Sequence, residues 1–146
     1  MSTNSVTFEF STEPISVNKL YINLRGQTRR FLSTEGKKFK AEVKASVVSQ
    51  LTQNYRSIIS DFVGKPLSVS ATISLPDWML KTKKNTPRKK DLDNKCKALF
   101  DSMFETLRDE INDSLDDSFI WELNLRKQVS AEVKVTVEVA EYNSQL

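Results

Sequence analysis

RKKDLDNKCKALFDSMFETL, residues 88–107, is the stretch with the strongest local pattern in the chain. Its apolar side chains recur every three or four residues, the spacing of an amphipathic helix with one buried face. The apolar positions are Cys96, Leu99, Phe100, Met103, Phe104 and Leu107. Asp93 can cap this helix, because a carboxylate accepts hydrogen bonds from the first free backbone N–H groups. The sequence therefore predicts a helix that begins at Asp93 and packs on a core.

Strand patterns lie on both sides of this helix. Apolar and polar residues alternate over residues 6–10 and again over residues 67–75, as they do in half-buried strands. The same alternation returns at residues 119–126 and 129–139. We predict four strands, with the last two forming a closing hairpin whose turn has no marked signature.

A second helical pattern lies between the first two strands. Apolar residues recur at spacings of three and four from Ser33 or Thr34 to Phe62, and Gly64 and Pro66 stop the pattern. Residues 14–35 ahead of it indicate a long exposed loop. The order β-α-β-α-β-β predicts one α+β domain over residues 1–146, with a small mixed β-sheet and two main helices.

Composition limits the chemistry available to this chain. Its 146 residues are enough to bury about 68–70% of the unfolded surface in one core. There is no histidine and only one cysteine, Cys96, so the usual zinc ligands and the usual general base are missing. No apolar run approaches the ~18–20 residues of a membrane span, and the first residues do not read as a secretory signal. We expect a cytoplasmic protein that works with carboxylates, lysine and metal.

Charges are sorted into two neighbouring blocks. Residues 81–90 hold six basic residues and no acidic one, whereas residues 101–117 hold seven acidic residues and a single base, Arg108. A polyphosphate backbone with a divalent metal would neutralise both blocks. A solvated basic loop ahead of a capped helix is the alternative.

The carboxylates next to the basic block suit a magnesium site. Asp91 and Asp93 are two residues apart, so in an extended segment they project to the same side. Asp116 and Asp117 precede the third strand and would join them if that strand lies beside the helix start. Magnesium prefers oxygen ligands, and two such ions can activate water and stabilise a departing 3′ oxygen.

Lys97 lies one helical turn after Asp93, and Asn94, Lys97 and Asp101 share a stripe apart from the apolar face. Its ammonium could stabilise charge that develops on a phosphate during cleavage. An ion pair with Asp101, four residues on, is the other interpretation. Both interpretations remain open from the sequence.

Three blocks of the chain, residues 88–101, 115–120 and 18–39, resemble the RusA family of Holliday-junction resolvases, small endonucleases of bacteria, phages and prophages. The first block carries basic residues, Asp-Leu-Asp-Asn, Lys and Asp, and the second carries Leu-Asp-Asp before a strand. Residues 105–114 depart from the family by being longer and more acidic. That departure leaves open which of Asp113, Asp116 and Asp117 reaches the metal, although the Leu-Asp-Asp pattern favours the last pair.

The resemblance implies a RusA-like fold and a homodimer that nicks four-way branched DNA symmetrically in a bacterial or phage-infected cell. It implies Mg²⁺ as cofactor, with Mn²⁺ as a substitute. The implied site residues are Asp91, Asp93 and Asp117 as catalytic metal ligands, Asp116 as an auxiliary ligand, Lys97 as the catalytic lysine, and Asn94 and Asp101 as supporting groups. The candidate DNA-contacting residues are Arg29, Arg30, Lys83, Lys84, Arg88, Lys89, Lys90 and Lys127.

Two other classes of function stay open. A branched-DNA-binding protein with a vestigial site would need the basic surface alone, and an interaction protein could join the acidic block of one chain to the basic block of another. Carboxylates beside phosphate are repulsive without metal, which favours the nuclease. Of the two tryptophans, we expect Trp121 in the core, whereas Trp78 could stack on an unpaired base, pack, or form a dimer contact.

Overall fold

The computed structural model of the chain describes residues 4–15, 21–23, 30–80 and 92–143. Within them, the backbone alone is described at residues 21–23, 30, 79–80 and 92–95. The elements of the described part are, in order, β1 (Ser5–Phe10), β2 (Tyr21–Asn23), β3 (Arg30–Leu32), α1 (Thr34–Gln50), α2 (Gln53–Ser60), β4 (Leu67–Leu75), α3 (Asp77–Leu80), α4 (Leu92–Glu110), a 3₁₀ turn (Asp117–Phe119), β5 (Ile120–Val129) and β6 (Lys134–Glu141). The main elements confirm the predicted α+β class and its β-α-β-α-β-β order.

A four-stranded mixed sheet in the order β1-β6-β4-β5 forms the centre of the fold. β4 pairs with β5 in parallel and with β6 antiparallel, and β6 pairs antiparallel with β1. The predicted closing hairpin is therefore wrong, because β4 lies between β5 and β6. β6 buries Val135, Val137 and Val139 and takes an inner place, whereas most of β5 is exposed and takes the edge.

One face of this sheet packs against the helices in a single apolar cluster. The alternating apolar side chains of β1, β4 and β6 form one side of that cluster, and helix residues form the other. All six predicted apolar positions of α4 are buried, which confirms the helix face: Cys96, Leu99, Phe100, Met103, Phe104 and Leu107. The rotation of α4 about its own axis is thereby set by its core contacts.

The start of α4 differs from the prediction. Asp93 is the second residue of the helix, so the prediction that it caps the helix is wrong, and Asp91 lies outside the described residues. Residues 92 and 93 are helical, so the extended backbone expected there is wrong, and the shared direction of the Asp91 and Asp93 side chains stays a prediction.

The single long helix predicted from residue 34 to residue 62 is two helices. Ser33 caps α1 by accepting a hydrogen bond from the Gly36 N–H at 2.8 Å. Leu51 leaves the helical conformation with a ψ of 84°, and Thr52 caps α2 by accepting from the Tyr55 N–H at 3.1 Å. The apolar periodicity runs through this break, which is why the sequence pattern alone does not reveal it.

The two side chains that flank this break both reach the outer edge of β1. The Gln50 amide accepts from the Glu9 N–H at 2.7 Å and donates to the Glu9 carbonyl at 2.8 Å. The Tyr55 hydroxyl accepts from the Thr7 N–H and donates to the Thr7 carbonyl, both at 3.2 Å. The break thus lets α1 and α2 satisfy backbone groups that an edge strand leaves unpaired.

The predicted loop of residues 14–35 contains a small antiparallel ribbon. β2 pairs with β3, with Tyr21 opposite Leu32 and Asn23 opposite Arg30. The runs Tyr-Ile-Asn and Arg-Phe-Leu are rich in aromatic and branched residues, which favour strands. Leu32 packs against the core just ahead of α1, so the ribbon is tied to the sheet domain.

None of the helices in the described part of the chain is long and apolar enough to cross a membrane.

Replacing Gln50 with alanine should lower the free energy of unfolding by about 1 kcal/mol, because two backbone groups of Glu9 lose their partner. Urea unfolding at neutral pH measures the change. Gln53→Ala, at an exposed position of α2, is the matched control and should be close to neutral. Equal effects of the two substitutions would show that Gln50 does not hold the edge of β1.

Candidate active site

Two segments of the chain form the candidate active site: α4 and the 3₁₀ turn Asp117–Phe119 ahead of β5, which contact each other. Lys97 and Asp101 are four residues apart on α4, so they lie on one stripe of the helix. Asp116 and Asp117 open the turn. The structure therefore brings the turn carboxylates to Asp101 in the middle of the helix, whereas the sequence analysis expected them at the helix start.

Hydrogen bonds fix the shape of this turn. The Asp116 carboxylate caps the 3₁₀ turn by accepting from the Ser118 N–H at 3.1 Å. The Arg108 guanidinium donates to the Leu115 carbonyl at 3.3 Å, and the Leu115 side chain is buried. Sequence reasoning missed the role of Arg108. Its one signal was being the single base in an acidic run.

Three carboxyl groups meet at Asp117. Hydrogen bonding to Asp101, partial burial and hydrogen bonding to Asp116, together with the charges of both neighbours, raise the pKa of Asp117 to about 7. The pKa of Asp116 is lowered, first by its hydrogen bond with Asp117, then by the Ser118 N–H, and also by the charge of Arg108. Asp117 therefore holds a proton near neutral pH that its neighbours share by hydrogen bonding.

This arrangement fits a hard divalent cation. The groups that perturb Asp117 are carboxyls and not cations, and carboxylate oxygens are the ligands that Mg²⁺ prefers. A cation there would replace the shared proton and remove the repulsion. In the part of the chain whose side chains are described, no three acidic, His or Cys groups have metal-binding geometry by themselves. Further ligands would have to come from elsewhere.

A cavity of about 250 Å³ opens beside Asp117. Its lining is mostly apolar, with two charged residues: Cys96, Lys97, Phe100, Asp117, Ile120 and Leu123. Cys96 and Phe100 were predicted as core residues, and they are buried, but they also form this wall. The apolar wall limits water near Asp117 and so favours its neutral form.

Lys97 lies in the wall of this cavity as an exposed side chain. Among the described residues it forms no ion pair with Asp101, whose carboxyl group bonds to Asp117 instead. The helix-surface ion pair, one of two interpretations from the sequence, is therefore not formed. The catalytic role of Lys97 stays a prediction.

The remaining predicted site residues are placed as follows. Asp93 and Asn94 are in the first turn of α4, and position 93 lies one turn ahead of Lys97. Arg30 is in β3, and only its backbone is described. Lys127 is exposed on β5, seven strand residues beyond Ile120 and so roughly 23 Å along the strand from it. The predicted residues outside the described part are Arg29, Lys83, Lys84, Arg88, Lys89, Lys90 and Asp91.

Both tryptophans are exposed. Trp121 is 67% exposed, so the prediction that it belongs to the core is wrong. It lies where the β4–β5 register shifts, on an edge strand, and its ring rests against Tyr142 with centroids 5.9 Å apart. Trp78, in the short helix α3, is 70% exposed.

Comparison with known protein families gives a match, and its range contains the candidate site. The family model described as Endodeoxyribonuclease RusA matches residues 12–140, a range that contains α4, the carboxyl cluster and all of β5. No curated protein matches the chain closely enough to count as a relative. Since the family model covers most of the chain, the chain belongs to the RusA endodeoxyribonuclease family.

Proposed function

We propose that this chain is a Mg²⁺-dependent endonuclease that resolves four-way DNA junctions by paired symmetric nicks, acting as a homodimer. The observation that carries the proposal is the meeting of Asp101, Asp116 and Asp117 beside Lys97, within the range matched by the family. Such a cluster is electrostatically costly unless a cation joins it. A cation and a DNA phosphate together would balance both kinds of charge.

We propose two roles for the described carboxyl groups: some bind the metal, and one orients a metal ligand. Asp117 and Asp101 are the ligands we assign from the described part, and Asp91 and Asp93 are proposed to complete the set. Asp116 accepts from Ser118 and bonds to Asp117, so it orients Asp117. A bound Mg²⁺, or Mn²⁺ in its place, would supply an activated water and stabilise charge on the leaving 3′ oxygen.

Lys97 is proposed to contact the scissile phosphate. Its ammonium shares the cavity wall with Asp117 and is not consumed by a pair with Asp101. A positive group at that place offsets the charge that builds up on the phosphate in the transition state. The apolar residues Phe100 and Ile120 of the same wall limit water access and strengthen that interaction.

The basic block of residues 81–90 leads directly into α4, so we propose that it brings the DNA backbone to the start of the site. Its lysines and arginines would neutralise phosphates and release counterions, which makes binding sensitive to salt. Arg29, Arg30 and Lys127 are proposed as further backbone contacts. The strand position of Lys127 implies a phosphate well away from the metal.

The test is cleavage of a labelled four-way junction beside a matched linear duplex, with Mg²⁺ and with EDTA. Paired nicks that ligase can seal, in the junction only and only with Mg²⁺, are expected. Tight junction binding without cleavage under any divalent metal would instead identify a branched-DNA-binding protein with an inactive site.

Asp117→Asn should reduce the cleavage rate about 100-fold or more, since it replaces a charged ligand at the centre of the cluster. Junction binding should persist, because the substitution removes a negative charge near phosphate. Asp113→Asn is the matched control: it removes the same charge from an exposed position in the same acidic stretch. If both variants cleave at the wild-type rate, Asp117 is not a metal ligand.

Stability without metal should depend on pH through Asp117. Its pKa is raised from 3.8 to about 7 in the folded chain, so between these values the folded state binds the proton more tightly than the unfolded state. Stability relative to Asp117→Asn should therefore fall as pH rises from about 4 to 7. Urea unfolding in EDTA at several pH values measures this difference. Parallel pH profiles for the two proteins would contradict the shared proton.

A further inference from the structure

The two edge strands of the main sheet differ in whether other groups bond to their outer backbone groups. At the β1 edge, Gln50 and Tyr55 occupy the backbone groups of Glu9 and Thr7. At the opposite edge, no strand of the described part pairs with the outer side of β5. A long open edge strand is a template for pairing with another chain unless something covers it.

The open edge is also apolar for an exposed strand. Trp121, Leu123 and Val129 are 67%, 46% and 58% exposed, although β5 is a regular strand of 10 residues. Exposed apolar side chains concentrated on one strand mark an interaction surface more often than they mark plain solvent-facing surface. The sequence of β5 then indicates what covers it.

We infer that β5 pairs antiparallel with β5 of a second copy, about a two-fold axis at Asn124. The pairing joins the two four-stranded sheets into one continuous sheet. It deepens the proposed function, on which it rests for the meaning of having two active sites, by assigning the surface through which the homodimer forms.

The register follows from symmetry and charge. A two-fold axis normal to the sheet leaves every side chain on the same face of the sheet in both copies. Residues directly opposite each other in an antiparallel pair also share a face, so the residue at the axis must lie opposite its own symmetry mate. With the axis at Asn124, each Glu122 lies opposite Arg126 of the partner strand, and each Leu123 lies opposite Leu125. A register about Leu125 places Leu123 opposite Lys127, and one about Arg126 places two guanidinium groups opposite each other. Only the first of these registers pairs opposite charges and apolar groups together.

The faces of β5 agree with this register. Glu122 and Arg126 lie beside Ser68 and Thr72 of β4, on the polar face of the sheet. Ser68 donates to one Glu122 oxygen at 2.6 Å, which leaves the second oxygen for Arg126 of the partner strand. Leu123 and Leu125 instead lie on the helix-covered face, so their pairing extends the core across the axis.

This dimer has a consequence for cleavage. Because the axis is normal to the joined sheet, both carboxyl clusters lie on the same face of it, one on each side of the axis. Ile120, the first residue of β5, would be eight strand residues from its symmetry mate, roughly 27 Å along the strand. Leu123 lines the cavity that also holds Asp117, so the partner strand would border each site. Two sites on one face suit paired cuts in one branched DNA.

Charge reversal tests the register. Glu122→Arg leaves two positive residues facing each other across the axis, and Arg126→Glu leaves two negative ones. Each single variant should raise the dimer dissociation constant roughly 10- to 100-fold, since two pairs change from attraction to repulsion. An equimolar mixture of the two variants should form a heterodimer, and the double variant Glu122→Arg/Arg126→Glu should recover the wild-type affinity.

Sedimentation velocity on the full chain measures these affinities, and circular dichroism checks that each variant is folded. A wild-type monomer at 100 µM, or single variants that dimerise as tightly as wild type, would overturn the inference. A disulfide between two copies of Asn124→Cys, absent in the distant control Ser49→Cys, gives a second measure of the register. A dimer that does not cleave would overturn the proposed nuclease activity and leave this interface standing. A monomer that cleaves junctions would overturn this inference and the proposed homodimer, and leave the nuclease activity standing.

Discussion

The parallel pairing of β4 with β5 is the constraint on which the candidate site depends. A parallel pair cannot be joined by a tight turn, so the chain must cross over the sheet, and α4 is that crossover. The six buried apolar residues of α4 set its rotation, and that rotation brings Asp101 against the turn at the start of β5. The same packing that stabilises the core thus places like charges next to one another.

The carboxyl cluster therefore lowers the stability of the fold locally, and the packing of the core holds it in place. Asp117 keeps a proton near neutral pH because Asp101 and Asp116 bond to it and water is partly excluded. A protein with no use for a cation gains nothing from that arrangement, since an uncharged side chain at Asp117 would relieve it. Strain of this kind tends to persist where the surrounding structure holds it for a function.

Local sequence patterns predicted the features that depend on a single helix or strand. The apolar face of α4 and the alternation of β1, β4 and β6 follow from periodicity, which sequence contains directly. The place of β5 beside β4, and not beside β6, depends on pairing between segments far apart in the chain. The break at Leu51 depends on contacts with β1, and the exposure of Trp121 depends on β5 being an edge. Neither has a local signal in the sequence.

The candidate site likewise combines residues found from a local motif with contacts that only the fold reveals. The Leu-Asp-Asp motif made Asp117 a candidate from the sequence, whereas the hydrogen bond between Asp101 and Asp117 and the role of Arg108 became visible only in the folded chain. The most direct test of the metal centre is a crystal of the chain soaked in Mn²⁺ and measured for anomalous scattering. We expect a peak at coordination distance, about 2.0–2.2 Å, from a carboxylate oxygen of Asp117. A fully occupied peak bound elsewhere, with Asp117 left bonded only to its neighbouring carboxyl groups, would contradict it.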